Sequence, residues 1–148
     1  MRRAGYRVIG LDRTAALLAF ARRRARALPL IRADLRCLPL RPGSIQGLWA
    51  AASLIHLPKA AVRDVMADLL DLVRPGGVLA ATFAHGIRSR LVPGGWIPGR
   101  YFARWTKDEL GRMLSAAGWR VIESRVVTGQ ERKGRWINVI ARRSADRP

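Results

Sequence analysis

Apolar and polar positions along this chain change period several times. Tyr6 to Leu11 is a short β-branched and apolar run that stops on an acid, Asp12, and predicts a strand. From Thr14 to Ala27 an Ala/Leu/Arg-rich stretch reads as a helix with Thr14 at its head. Leu30 to Ala33 is a second short strand, and again an acid, Asp34, stands at its end. After LPLRPGS, a strand is expected over Ile45 to Ala51. A helix is expected over Lys59 to Val73, where Val62, Val65, Met66, Leu69, Leu70 and Val73 keep helical spacing. The RPGG run at 74–77 stops that helix, and Val78 to Phe83 has the continuous apolar character of a buried strand. Thr106 to Ala117 predicts a helix, and Trp119 to Val127 with Trp136 to Ala141 predict two closing strands around TGQERKG. Strands and helices in alternation imply an α/β fold, a mostly parallel sheet covered by helices, with the last pair as an antiparallel hairpin. No repeat or low-complexity linker divides residues 1–148, so a single domain is expected.

Charge complicates this picture. Lys and Arg number 28 against 10 Asp and Glu, a net charge of +18, and such a field attracts nucleic acid or anionic membrane. The positive charge is nearly all Arg, with Lys only at 59, 107 and 133, and the chain is rich in Ala, Gly and Pro. That profile also fits GC-rich coding, in which Arg covers solvated surfaces without a dedicated partner. The densest cluster, ARRRARA at 21–27, lies at a helix end, where cations suit the dipole. The apolar segments are too short or too broken by Gly, Pro and His to span a bilayer, and Asp12 and Arg13 interrupt the stretch that an export signal would need. Cys37 is the sole cysteine, so neither an internal disulfide nor a Cys-rich zinc site can form. A cytoplasmic protein without a metal is expected; the two histidines, His56 and His85, are far apart in sequence.

The acids at the strand ends carry the first chemical suggestion. In nucleotide-binding α/β sheets an acid at such a tip accepts hydrogen bonds from a ribose, about 20 residues after a Gly-rich loop. The competing reading is that Asp12 caps the following helix and that Asp34 caps a turn at LRCL.

The runs VIGLDRTAALLAFAR, RADLRCLPLRPGSIQGLWAAASLIHLP and LVRPGGVLAATF, followed by GRYFARWTKDELGRMLSAAGWRVIE and GRWINVIARR, resemble the class I S-adenosylmethionine-dependent methyltransferases, in particular the methyltransferase-type-11-like group. The resemblance extends from Gly5 to Arg142 and rests on the order and spacing of the motifs together. It implies a Rossmann-like three-layer sandwich with S-adenosyl-L-methionine as cofactor. On it, Asp12 and the adjoining Arg13 match the acid that binds the cofactor ribose, and Leu17 packs near the adenine. Asp34 takes the adenine amino group with the Leu35 backbone beside it, and Ala52 and Ser53 match the strand end that passes the methionine portion and the sulfonium.

Methyl transfer asks mainly for in-line placement of a nucleophile, with one general base in some cases. His56, just past the reactive edge, is the candidate base, against the alternative of a structural histidine at a helix entry. His85 is a second candidate substrate contact. Trp96, Tyr101, Phe102 and Trp105 fall in the segment that varies with substrate in this group; they are candidates for a lid over an apolar acceptor, or for a small core of their own. The Asn/Asp-Pro-Pro-Tyr/Phe signature of base N-methylation is replaced by AASLIHLP, which points toward a small-molecule acceptor, with an RNA nucleoside second.

The sequence departs from the group in one large respect. The first strand, Gly-rich loop and first helix of the family would precede Gly5 and are not in these residues. The expectation is therefore an N-terminally truncated domain, impaired in methyl transfer on its own, with strand edges open to oligomerisation. Gln46 stands where the group often has Asp. Two rival readings are a non-catalytic remnant that binds nucleic acid or a protein through its basic surface, and a nicotinamide-dependent dehydrogenase, against which RPGG and the closing hairpin argue.

Overall fold

The computed structural model describes residues 4–93, 99–129 and 134–144. Its elements in chain order are β1 (Gly10–Asp12), α1 (Ala15–Arg24), β2 (Leu30–Arg32), β3 (Ile45–Ala51), α2 (Lys59–Leu72), β4 (Val73–His85), β5 (Arg90–Leu91), β6 (Tyr101–Phe102), β7 (Arg104–Trp105), α3 (Lys107–Ala116), β8 (Trp119–Thr128) and β9 (Arg135–Arg143). They fall into two compact units, Met1–Leu40 and Arg41–Pro148.

The first unit is a parallel β1–β2 pair with α1 between them, registered Gly10 to Leu30 and Asp12 to Arg32. Both strands are shorter than the apolar runs imply; ahead of β1, Tyr6 and Ile9 are exposed rather than packed. The helix also ends three residues early. Arg22, Arg23 and Arg24 form its last turn, where their charge complements the helix carbonyls. No residue of α1 is fully buried, and Arg24 lies 4.4 Å from the centroid of the Phe20 ring.

The second unit holds the core. Its main sheet runs β3-β4-β9-β8, with β7 also paired to β4. β3 and β7 are parallel to β4, and β9 is antiparallel to both β4 and β8, so the sheet is mixed: the expected parallel pairing holds for β3 and β7, and the closing hairpin is present. Alternation sorts β4 and β9: Leu79, Ala81 and Phe83 face the core with Ile137, Val139 and Ala141, all buried. Val62, Val65, Met66, Leu69 and Leu70 of α2 and Leu110, Met113 and Leu114 of α3 complete that core. Trp119, 1% exposed, fills its centre and satisfies its indole by donating from Nε1 to the Met66 carbonyl at 2.9 Å.

The RPGG run behaves differently from a simple stop. The helix ends at Leu72, and β4 starts at once with Val73 opposite Ile45. Val78 then pairs with Gly47, so residues 74–77 form a bulge inside the strand rather than a turn before it. Among the described residues no polar or charged residue is fully buried, and no helix is long and apolar enough to cross a membrane.

Candidate active site

In the first unit the two acids sit at or just past the carboxyl ends of β1 and β2, the position where open α/β sheets bind ligands. Asp12 Oδ1 accepts the Thr14 N–H at 2.7 Å, so the acid shapes the entry to α1 while Thr14, the N-cap residue, makes no side-chain capping bond. One oxygen of Asp12 is thus committed locally. Asp34 is committed at both oxygens: Oδ1 accepts the Arg36 backbone N–H at 2.9 Å and Nε at 3.0 Å, and Oδ2 accepts Nη2 at 2.8 Å. The Arg13 guanidinium lies 3.9 Å from Oδ2. These bonds, led by the Arg36 side chain, hold the Asp34 carboxyl well below the usual carboxylate range. The turn-capping reading of Asp34 is therefore the one its contacts display, with its backbone bridged to Cys37. Leu17 is exposed and Leu35 half-buried, and the Arg13 carbonyl accepts a hydrogen bond from Arg32 Nε.

In the second unit the tip of β3 is built on an unusual backbone. Ala52 has φ of 55°, a left-handed conformation that costs an alanine roughly 1–2 kcal/mol. Such residues persist only where their surroundings hold them, and they concentrate at functional sites. Here the Ala52 N–H is held by the Thr82 carbonyl at 3.2 Å on one side. On the other side Leu54 and Ile55, 0% and 3% exposed, are anchored in the core. The chain therefore reverses at Ala52, leaves Ser53 exposed and delivers His56 before Pro58 opens α2.

His56 is half-buried, with Nδ1 2.9 Å from the Tyr101 carbonyl and its ring edge-on to Phe102 at 4.7 Å between centroids. His85 closes β4, paired with Trp105, and its carbonyl accepts from Arg104 Nη1 at 3.0 Å. Trp105 is 2% exposed and stands edge-on to Phe83. Of the candidate aromatics it is thus a core residue, its Nε1 buried without a partner. Trp96 lies outside the described residues. The structure brings together His56, Tyr101 and Phe102. Two features were not read from the sequence: the strain at Ala52, and Lys59, whose Nζ lies 2.6 Å from Glu109 Oε1 and 4.8 Å from the Trp105 ring centroid. A lone Lys after Pro58 and a TKDE helix start were the available signals for the second.

Among the described residues no group of three or more His, Cys, Asp or Glu is placed to hold a metal ion.

A family model described as a methyltransferase domain matches residues 1–77 of the 148. The malonyl-[acyl-carrier protein] O-methyltransferase of Enterobacter lignolyticus is 33% identical over 78 residues, which are 53% of this chain and 30% of that protein. The chain thus spans less than a third of the length of that relative. Among solved structures, an S-adenosylmethionine-dependent methyltransferase of Methanosarcina mazei superposes with a TM-score of 0.83 at 16% identity, covering 97% of this chain and 84% of the other. The 1,6-didemethyltoxoflavin-N1-methyltransferase of Burkholderia thailandensis, solved with bound 1,6-didemethyltoxoflavin and S-adenosylhomocysteine, gives 0.76 at 20% identity, covering 95% and 62%. The match over residues 1–77 and the superposition agree: the chain belongs to the methyltransferase-domain family, with the Rossmann-like fold of the class I S-adenosylmethionine-dependent methyltransferases.

Proposed function

We propose that this chain binds S-adenosyl-L-methionine and takes part in methyl transfer to a small-molecule acceptor. The observation that carries this reading is the strained Ala52 at the carboxyl end of β3, which the resemblance matches to the strand end near the reactive part of the cofactor. Backbone bent at that point lets the chain turn away and leaves Ser53 at the tip.

The residues fit the cofactor unequally. Asp12 keeps acceptor capacity beyond its bond to Thr14, because an ionised carboxylate has about four lone-pair sites. A charged acceptor for two ribose hydroxyls is roughly twice as strong as a neutral one. Asp34 fits the adenine less well, since Arg36 already engages both of its oxygens. In the second unit, taken by itself, Ala52 and Ser53 are the residues that the resemblance matches to the methionine portion. The cofactor supplies an activated methyl group; the protein's part is to place the acceptor and remove its proton, for which His56 is the candidate. His85, Tyr101 and Trp96 remain candidates for acceptor contact.

The test is calorimetric titration with S-adenosylhomocysteine of the chain and of Asp12→Asn. Asparagine keeps an oxygen for the Thr14 N–H but loses the charge, so the entry to α1 survives. Micromolar binding weakened roughly tenfold, about 1.4 kcal/mol, supports the reading. Absence of binding by the folded chain would sink it, and unchanged binding by the variant would remove Asp12 from the site.

A second reading, nucleic-acid binding, is favoured by the cluster of Arg22, Arg23 and Arg26 beside Ala19 at and just past the end of α1. RNA affinity that falls steeply with salt and drops on Arg22→Ala/Arg26→Ala is its test.

A further inference from the structure

The surroundings of His56 decide which of its nitrogens carries the proton. Nδ1 lies 2.9 Å from the main-chain oxygen of Tyr101, and a carbonyl can only accept. In the neutral imidazole Nδ1 is therefore the N–H, and Nε2 keeps its lone pair. This arrangement reverses the preference of a free histidine in water, so it has to be imposed. Two further contacts impose it. Ala103 N–H donates to the Ile55 carbonyl at 2.7 Å, tying the chain after β6 to the residue before His56. Phe102 meets the imidazole edge-on, with an interplanar angle of 89°, and stands against rotation of the ring.

We propose that Tyr101, through its carbonyl, is the positioning residue that holds His56 as the Nδ1–H tautomer and presents Nε2 as a proton acceptor. The inference rests on the reading of this site as a methyltransferase and narrows its acceptors. A neutral Nε2 serves a nucleophile that still carries its proton, an alcohol, phenol or N–H group. A carboxylate is already ionised at neutral pH and needs no base. In the step this implies, the acceptor oxygen uses a lone pair to bond the methyl carbon of the sulfonium as its O–H proton passes to Nε2. The C–S bonding pair returns to sulfur as a neutral thioether, and the positive charge ends on the imidazolium. The same backbone contact then stabilises that charge, because Nδ1–H donates to the Tyr101 oxygen in either protonation state.

The tautomer is read directly from long-range proton–nitrogen NMR correlations of the 15N-labelled chain, with His56→Asn and His85→Asn spectra assigning the signals. A protonated Nδ1 and unprotonated Nε2 at His56 are expected. Phe102→Ala should admit the Nε2–H form, and Phe102→Leu should restore the original tautomer; amide spectra of both variants report whether they fold. A lone pair presented for catalysis, and not merely packed, is also expected to react with diethyl pyrocarbonate in the folded chain, mapped to His56 by mass spectrometry. A dominant Nε2–H form, an equal mixture of tautomers, or resistance of His56 to the reagent overturns the proposal. None of these readouts needs the cofactor, so a chain that fails to bind S-adenosylhomocysteine would refute the cofactor site while leaving the tautomer result intact.

Discussion

Lys59 and Glu109 join the starts of two helices: Nζ of the first residue of α2 donates to Oε1 in the first turn of α3 at 2.6 Å. A lysine at a helix N-terminus opposes the dipole, whereas Asp108 and Glu109 at the start of α3 favour it. Glu109 thus offsets the unfavourable position of Lys59. Thr106 completes the corner by accepting the Glu109 N–H at 3.2 Å. With side chains 29% and 36% exposed, the pair is screened and modest. A double-mutant cycle of Lys59→Met and Glu109→Gln, followed by urea unfolding, should give a coupling of about 0.5–1 kcal/mol that shrinks in high salt. A salt-independent coupling would show that Trp105 packing, not charge, dominates.

Arg143 contributes more than its place near the chain end suggests. Helix α2 has no basic residue in its last turn. Instead Arg143 Nη1 reaches from β9 to the Leu70 and Val73 carbonyls at 2.9 and 2.5 Å, adding a charged donor at the end of α2, where the Leu70 carbonyl also accepts the Val73 N–H. Arg143→Met keeps the apolar stem and removes these charge-assisted bonds, and should cost about 1–2 kcal/mol. Its neighbour Arg142 points to the opposite face and is exposed, so Arg142→Met should stay within about 0.5 kcal/mol. Equal effects of the two would show that net charge, not the helix cap, is being measured.

Two glycines of the α3 corner should respond with opposite signs to alanine. Gly118 follows the C-cap at φ of 87°, and a Cβ there would lie 2.6 Å from Leu70 Cδ2. Gly118→Ala should cost about 1–2 kcal/mol from its backbone alone. Gly111 is inside α3 with open space around its Cβ position. Gly111→Ala should stabilise by about 0.5–1 kcal/mol. Thermal melts of the two single variants decide both signs.

Most of the second unit was legible because burial there agrees with local pattern. Ile45–Ala51 was read to the residue even though its Trp49 is exposed, and α2 and α3 to within one residue at each end, since the apolar stripes of both helices face one core. The first unit was read less well. Tyr6, Leu17 and Phe20 are apolar but exposed, and periodicity cannot reveal that an apolar residue lacks something to pack against. At the candidate site, residue types and positions could be read, but not what held them. The strain at Ala52 depends on Thr82 and Leu54, and the tautomer of His56 on a carbonyl 45 residues away; neither leaves a sequence pattern.

Asp34 and Asp12 look equivalent as sequence and should behave differently in solution. The Arg36 bonds depress the Asp34 carboxyl in the folded chain. A depressed acid contributes stability above its unfolded value, about 3.9, and loses it as pH falls toward the folded value. Between pH 5 and 8 this group should therefore add no pH dependence; its loss belongs to the acid limb below about pH 4. Because the Arg36 and Asp34 side chains are 59% and 34% exposed, solvent screening keeps the effect below about 1 kcal/mol. Asp34→Asn should flatten that limb without changing stability at pH 7 by more than this. The same engagement limits its role toward a ligand, since an adenine amino group would have to displace a guanidinium N–H. Asp34→Asn should accordingly weaken S-adenosylhomocysteine binding by less than about threefold, against the tenfold loss expected for Asp12→Asn. A larger loss at Asp34 would mean that Arg36 swings away when the cofactor binds, and Arg36→Met should then tighten binding.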